Sequence, residues 1–234
     1  MIQVYEATDV GLVRPRNEDC AVVFEPATYV VADGMGGHVA GEVASHLLTD
    51  TVRRQLAGVP VIGEEELRQA VLAGNQAILD CEKENPDYKG MGTTATVLHL
   101  AGNEAYWAHV GDSRLYLLRG DSLQQVTRDH SYVEDLVFEG TITEAEARVH
   151  PKRNYLTRAV GVEAVLEVDT GHFRVQRQDI LLLATDGLMK AVDDTEIAKI
   201  LRAGAKDPAA ELIQQALAGG GRDNITAIVV VCDS

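Results

Sequence analysis

The chain has 234 residues and carries 36 Asp and Glu against 21 Lys and Arg, a net charge of −15. That balance excludes a nucleic-acid partner, which needs basic patches, and suits a protein that concentrates cations. Three widely spaced cysteines (Cys20, Cys81, Cys232) point to free thiols in a reducing compartment, and no apolar run approaches the ~20 residues that cross a bilayer. A cytoplasmic protein with no membrane segment is expected.

In chain order, the N-terminus shows no basic or long apolar leader, and Ile2 to Thr8 alternates as a strand does. Gly11 opens a loop carrying Arg14-Pro15-Arg16-Asn17-Glu18-Asp19, ahead of the apolar Cys20 to Phe24. By itself that mixed-charge loop reads as a solvated turn. Tyr29-Val30-Val31-Ala32 is an unbroken apolar run, the mark of a strand buried on both faces, and it stops at Asp33-Gly34. Helical spacing follows over Gly41 to Leu56, and again from Glu64 to Asn85-Pro86, where Glu64, Glu65 and Glu66 suit the positive end of the helix dipole.

Strand-like segments come next: Thr93 to Leu100, Glu104 to Val110, Arg114 to Leu118 and Ser122 to Val126. Turn residues around Gly102 and Gly120 make antiparallel hairpins of them. The second of these runs ends in Gly111-Asp112. Ser131 to Gly161 changes character, with two short helical patterns, a capping-box sequence at Thr143-Glu144-Ala145-Glu146, and positive charge at Lys152, Arg153 and Arg158. It reads as an insertion packed on the main body. Strands resume at Val165 to Thr170 and Asp179 to Thr185, the latter ending at Asp186-Gly187. Helices are expected over Thr195 to Arg202 and Pro208 to Leu217, and Asp223-Asn224 leads into a final strand, Ile225 to Cys232. Strands and helices in runs rather than strict alternation indicate an α+β fold, two antiparallel sheets with helices outside, in one domain.

Asp33, Asp112 and Asp186 follow strand ends, while Asp19 and Asp223 precede strand starts. Antiparallel pairing sets the end of one strand beside the start of its neighbour, so these carboxylates can gather at one edge. Crowded carboxylates raise one another's pKa, and a divalent cation resolves the conflict. Oxygen ligands without matching cysteines or histidines select Mg²⁺ or Mn²⁺. Two such ions, ~3.5–4 Å apart, can activate water and clamp a phosphoryl group, with Arg14 as the fork for the phosphate. The competing readings are plainer. Asp-Gly is a common hairpin turn, although neither copy here continues into a return strand. Gly34-x-Gly36-Gly37 lacks the spacing and the lysine of a nucleotide cradle. His38 reads first as a surface or structural residue and second as a proton donor; His109 reads as a hydrogen-bonded core residue, and His130 as a brace.

Taken together, Arg14-x-x-Asn17-Glu18-Asp19, Val31 to His38, Met91-Gly92-Thr93-Thr94, His109 to Arg114, Asp129-His130, Ala184 to Leu188 and Gly221-Arg222-Asp223-Asn224 resemble the motif series of the metal-dependent Ser/Thr protein phosphatases (the PPM or type 2C family), in the compact bacterial form. The resemblance runs from Thr8 to the C-terminus. It implies a four-layer αββα sandwich with Mg²⁺ or Mn²⁺ at one edge, two ions with a third site beside them. Asp33 would bridge the pair as the central catalytic residue, with the Gly34 carbonyl and Asp19 on one ion and Asp186 and Asp223 on the other. Glu18 is a weaker candidate than Asp19. Asp112 with Asp186 resembles the third-metal site of bacterial members, Arg14 would bind the substrate phosphate, and residues 131–161 correspond to the flap. One departure is Met35, which stands where animal members place a proposed acid histidine.

The function implied is hydrolysis of phosphoserine and phosphothreonine in proteins, by in-line attack of a hydroxide held by the metal pair. The expected partners are phosphorylated substrates of a cognate Ser/Thr kinase, acted on by a monomer. The rivals are a metal-dependent phosphoesterase for small molecules and a non-catalytic phosphoprotein-binding regulatory module. A missing core aspartate would favour the second, and none is missing.

Overall fold

The computed structural model describes residues 2–37 and 39–233. Its elements run β1 (Ile2–Asp9), β2 (Asp19–Phe24), β3 (Thr28–Met35), α1 (Ala40–Leu56), α2 (Glu64–Glu84), β4 (Gly92–Thr93), β5 (Ala95–Ala101), β6 (Glu104–Val110), β7 (Arg114–Arg119) and β8 (Ser122–Gln125). They continue with α3 (Tyr132–Phe138), α4 (Glu144–Val149), β9 (Asp169–Arg174), β10 (Ile180–Ala184), α5 (Asp186–Met189), α6 (Asp194–Arg202), α7 (Pro208–Ala218) and β11 (Ile225–Cys232). Two antiparallel sheets result, the first ordered β2-β3-β5-β6-β9, with β4 paired to the end of β3, and the second β1-β11-β10-β7-β8.

The unbroken apolar runs are explained by burial on both faces. Side chains alternate across a strand, so Val31 enters the layer between the sheets with Leu98, Leu115, Leu181, Leu183, Ile228 and Val230. Val30 and Ala32 point the other way, onto Leu48 and Val52 of α1 and Leu67 and Val71 of α2. In the second sheet Leu182, Ala184, Ala227 and Val229 face Ile197 of α6 and Leu212 of α7. Helix, sheet, sheet and helix therefore stack as an αββα sandwich.

Three details differ from the sequence reading. The strand expected over Val165 to Thr170 instead begins at Asp169 and runs to Arg174, with Asp169 opposite His109 of β6. Before it, Leu166 and Val168 pack on the helical side of the first sheet while Val165 is 88% exposed, so apolar spacing there marks an irregular anchor. Gly171 hides the true strand from a propensity reading: a Cβ there would come within 2.6 Å of the Trp107 ring, which lies across it. The segment Thr93 to Leu100 is broken at Thr94, which leaves the ladder to bind Asp33. Finally, Asp186 opens a helical turn, α5, where the sequence pattern predicts no element.

Residues 131–161 hold α3 and α4, each with a side-chain N-cap, Ser131 accepting from Glu134 N–H and Thr143 from Glu146 N–H. Tyr132 N–H to Tyr155 O and Thr157 N–H to His130 O close the segment's base. Among the described residues, no helix is long and apolar enough to cross a membrane. Cys20, Cys81 and Cys232 are free.

Candidate functional site

The site begins with β2 and β3, whose register places Asp19 directly opposite Asp33. The Asp33 backbone is held from the other side by the Thr93-Thr94 pair. Its N–H donates to Thr94 Oγ1 (2.9 Å), and its carbonyl accepts from Thr94 N–H (2.9 Å) and Thr93 Oγ1 (3.0 Å). Gly34 N–H donates to the Glu18 carbonyl at 3.0 Å. A side chain at Gly34 would collide with the Gly41 carbonyl at the start of α1, so only glycine lets the helix come this close.

The second sheet is fastened to this edge through hydroxyls. Thr185, just beyond β10, and Thr226 of β11 each donate to Asp19 Oδ2 at 2.7 Å. Asn224 is the clasp of the neighbouring loops. Its Oδ1 accepts from Glu18 N–H (2.8 Å), and its Nδ2 donates to the carbonyls of Val10 (2.9 Å) and Arg16 (2.8 Å). This brings Arg14 onto Asp223, with Nε 2.9 Å from Oδ1 and Nη2 3.2 Å from Oδ2. Gly187 packs against the Asn224 carbonyl, where a Cβ would not fit, and so sets the start of α5 on the same turn.

All five aspartates singled out by their strand-end positions act on one another here. Burial holds the Asp33 carboxyl well above the usual range, helped by Asp19, Asp186 and Asp112. Burial, then Asp186 and Asp129, does the same to Asp112. Asp19 is pushed up to about 7, chiefly by burial and against its two hydroxyl donors. Burial raises Asp186 too, although Lys190 opposes it. Asp223 goes the other way: burial works to raise it, but Lys190, Arg14 and the Asn224 N–H together bring it below its ordinary value. Glu18 is raised, chiefly by burial. The Asp186 and Asp223 side chains keep 16% and 17% of their surface exposed, so the cluster meets solvent on that side.

The surrounding polar residues brace this edge. His130 accepts from Gly111 N–H at Nδ1 (3.1 Å) and faces Asp169 Oδ2 through Nε2 (3.1 Å), which fixes the turn carrying Asp112. His109 lies between Thr96 Oγ1 (3.0 Å) and the Arg128 carbonyl (3.1 Å). Burial pushes its pKa down to about 3, so it is neutral. Arg114 holds Asp129 through Nε (2.8 Å) and Nη2 (2.7 Å), and Thr94 and Ser113 share a hydroxyl bond of 2.7 Å behind Asp33. His38 lies outside the described residues.

The donor set suits a hard divalent ion. It is all oxygen, and Asp19 Oδ1 and Asp186 Oδ1 are buried acceptors with no hydrogen-bond partner. Among the described residues no three acidic, histidine or cysteine side chains are drawn close enough to hold an ion as they stand. The acids are instead partly neutralised by Arg14 and by Lys190, whose Nζ lies 2.5 Å from Asp186 Oδ2 and 2.8 Å from Asp223 Oδ2. The sequence reading missed Lys190. Its signal was the spacing of four from Asp186, which meets on one face only if a helix starts at Asp186. Asn224, Thr185 and Thr226 were likewise unread as the parts that hold the edge together.

Residues 15–219 match the family described as protein phosphatase 2C. The serine/threonine phosphatase stp of Listeria welshimeri is 40% identical over 95% of this chain and 93% of its own length. Among solved structures, the Mycobacterium tuberculosis serine/threonine phosphatase PstP/Ppp superposes with a TM-score of 0.93 at 39% identity, covering 100% of this chain and 99% of that one. The catalytic domain of PstP in complex with two manganese ions gives 0.89 at 39% identity, covering 99% of each chain.

Proposed function

The chain belongs to the protein phosphatase 2C family, and we propose that its clustered aspartates form the metal centre through which it hydrolyses phosphoproteins. It is a serine/threonine protein phosphatase, a hydrolase that depends on metal. The observation that carries the assignment of residues is the cross-sheet edge. There Asp19 is gripped by Thr185 and Thr226 of the opposite sheet, while Asp19 Oδ1 and Asp186 Oδ1 stay buried without partners.

In this reading Asp33 would be the residue common to a Mn²⁺ or Mg²⁺ pair; the Gly34 carbonyl and Asp19 would help hold one ion, Asp186 and Asp223 the other, and Asp112 with Asp186 would serve a third. Bound there, divalent ions supply positive charge to a phosphoryl group and a nucleophile at neutral pH. The protein's part is to hold that constellation rigid. Thr93 and Thr94 fix the Asp33 backbone, Thr185 and Thr226 orient Asp19, and Asn224 keeps the Arg14 loop against the Asp223 turn. Arg14, half exposed, presents to the substrate phosphate the fork that now rests on Asp223.

The reading extends to one catalytic domain with residues 131–161 as its flap, supported by a chain that closes into a single sandwich and by Phe138, Val149 and Tyr155 exposed on that segment. Cytoplasmic phosphoproteins, the substrates of a cognate Ser/Thr kinase, fit the three free thiols. Hydrolysis of a phosphothreonine peptide with Mn²⁺ is expected to stop in EDTA and to return with Mn²⁺; activity that persists in EDTA would overturn the metal assignment. In the same assay, Arg14→Ala is expected to lower kcat/KM by about 10- to 100-fold, the worth of a charged hydrogen bond to phosphate, with Mn²⁺ binding retained.

A further inference from the structure

The two halves of the aspartate cluster are neutralised differently. Asp19 takes two neutral hydroxyl donors on Oδ2 and leaves Oδ1 bare. Among the described residues, no cation lies within ion-pair distance of Asp19, Asp33 or Asp112. Asp186 and Asp223, by contrast, share one ammonium group through their Oδ2 atoms, while Asp186 Oδ1 is bare like that of Asp19 and Asp223 also carries the Arg14 guanidinium. Lys190 follows α5 directly, four residues after Asp186, and its Nζ bridges Asp186 Oδ2 (2.5 Å) and Asp223 Oδ2 (2.8 Å). The two acids come from different elements, the first turn of α5 and the loop before β11, so this ammonium is a link between those elements. The lysine side chain is 36% exposed, and its four-carbon stem is free to swing its head into solvent.

We propose that Lys190 is a tethered counter-ion that competes with a divalent cation for Asp186 and Asp223, so that the centre fills in order, the Asp33–Asp19 half first. The inference rests on the reading of Asp186 and Asp223 as metal ligands. A cation that takes the facing Oδ2 atoms of those two acids must displace the ammonium from both. Because the ammonium is attached to the same helical turn, it is present at high local concentration and opposes entry at every metal concentration. The bare oxygen of Asp19 has no such competitor. A metal-free protein therefore keeps its Asp186–Asp223 edge closed on lysine, and that half fills only at a higher supply of Mn²⁺ or Mg²⁺ than the other half needs.

The test is calorimetric titration of Mn²⁺ into the metal-free wild type, Lys190→Met and Lys190→Gln, with melting curves in EDTA and in saturating Mn²⁺. The wild type is expected to show a tighter and a weaker binding event. Either substitution should strengthen the weaker event about tenfold or more, as removal of a close charge pair implies, and leave the tighter one in place. Both variants should melt below the wild type in EDTA and draw level in Mn²⁺. Variants that bind Mn²⁺ with wild-type affinities would overturn the proposal while leaving the metal centre intact. A wild type that binds no Mn²⁺ would instead overturn the metal centre and, with it, the proposal. A second measurement needs no substitution: acylation of Lys190, followed by mass spectrometry of the peptide, should be slow in EDTA and faster once Mn²⁺ is bound. An unchanged rate with Mn²⁺ bound counts against competition.

Discussion

Asp33→Asn is expected to lower phosphopeptide hydrolysis by about 10³-fold or more, and to raise the melting temperature of the metal-free protein. The two effects share a cause. The Asp33 carboxyl is crowded by Asp19, Asp186 and Asp112 in a partly desolvated position, so its charge costs folding energy that the isosteric amide does not. Each kcal/mol regained corresponds to about 2–4 °C for a chain of this size. The same charge is what would hold two cations together, and an amide oxygen replaces it poorly. Melting curves in EDTA and Mn²⁺, beside steady-state kinetics, check both halves. The variant should start from a higher temperature and gain less from Mn²⁺. An active Asp33→Asn enzyme would contradict the assignment.

The aspartate cluster of the metal-free protein should cost stability as pH rises, and saturating Mn²⁺ should remove that cost, so that the stabilisation gained from Mn²⁺ grows with pH. Asp19 moves from an ordinary 3.8 to about 7 in the folded chain, and Asp33, Asp112 and Asp186 move in the same direction. Between the unfolded and folded values the folded state holds the extra protons, so ∂ΔG/∂pH is negative. The stabilising contribution is complete below the unfolded value and is lost as pH climbs through the folded one. From pH 5.5 to pH 8 Asp19 alone accounts for roughly 2 kcal/mol. Asp223 has the opposite sign, because its folded pKa is depressed, but its contribution is already present above its ordinary value and does not change in this window. His109, pushed down to about 3, and His99 and His130, lowered by burial, do oppose the aspartates here, because the unfolded chain protonates them more readily at pH 5.5; their effect is the same with EDTA and with Mn²⁺ and cancels when the two are compared. Mn²⁺ binds the deprotonated carboxylates, so its stabilising effect should grow with pH. Urea denaturation at the two pH values, with EDTA or with Mn²⁺, measures the difference. A stabilisation by Mn²⁺ that is no larger at pH 8 than at pH 5.5 would show that the aspartates are less crowded than their positions indicate.

What could be read from the residues divides along physical lines. Val30-Val31-Ala32 and Leu181 to Ala184 are unbroken because each strand is covered on one face by helices and on the other by the second sheet. That burial makes strand ends easy to see, and with them Asp33, Asp112 and Asp186. Pairing between distant segments is less visible. Nothing local shows that Gly171 belongs to a strand, since its reason is the Trp107 ring across it. Thr94 reads as one more β-branched residue until Asp33 is placed against it. Lys190 was hidden because α5 is a single turn, too short to leave a periodic pattern, yet that turn decides where its ammonium goes. Asn224 follows an aspartate in a glycine-rich turn and looks like a turn residue. Its clasp on Glu18, Val10 and Arg16 exists only once the first and last strands meet.

The central claim is that this cross-sheet edge holds a metal pair centred on Asp33. Crystals of the protein grown with Mn²⁺, and an anomalous difference map recorded at the manganese edge, test it most directly. Two adjacent peaks are predicted, both bordering the Asp33 carboxylate, one also meeting the Gly34 carbonyl and the other Asp186 and Asp223, with the Lys190 ammonium moved off both acids. Manganese bound only at surface carboxylates, with Asp33 free of it, would contradict the account.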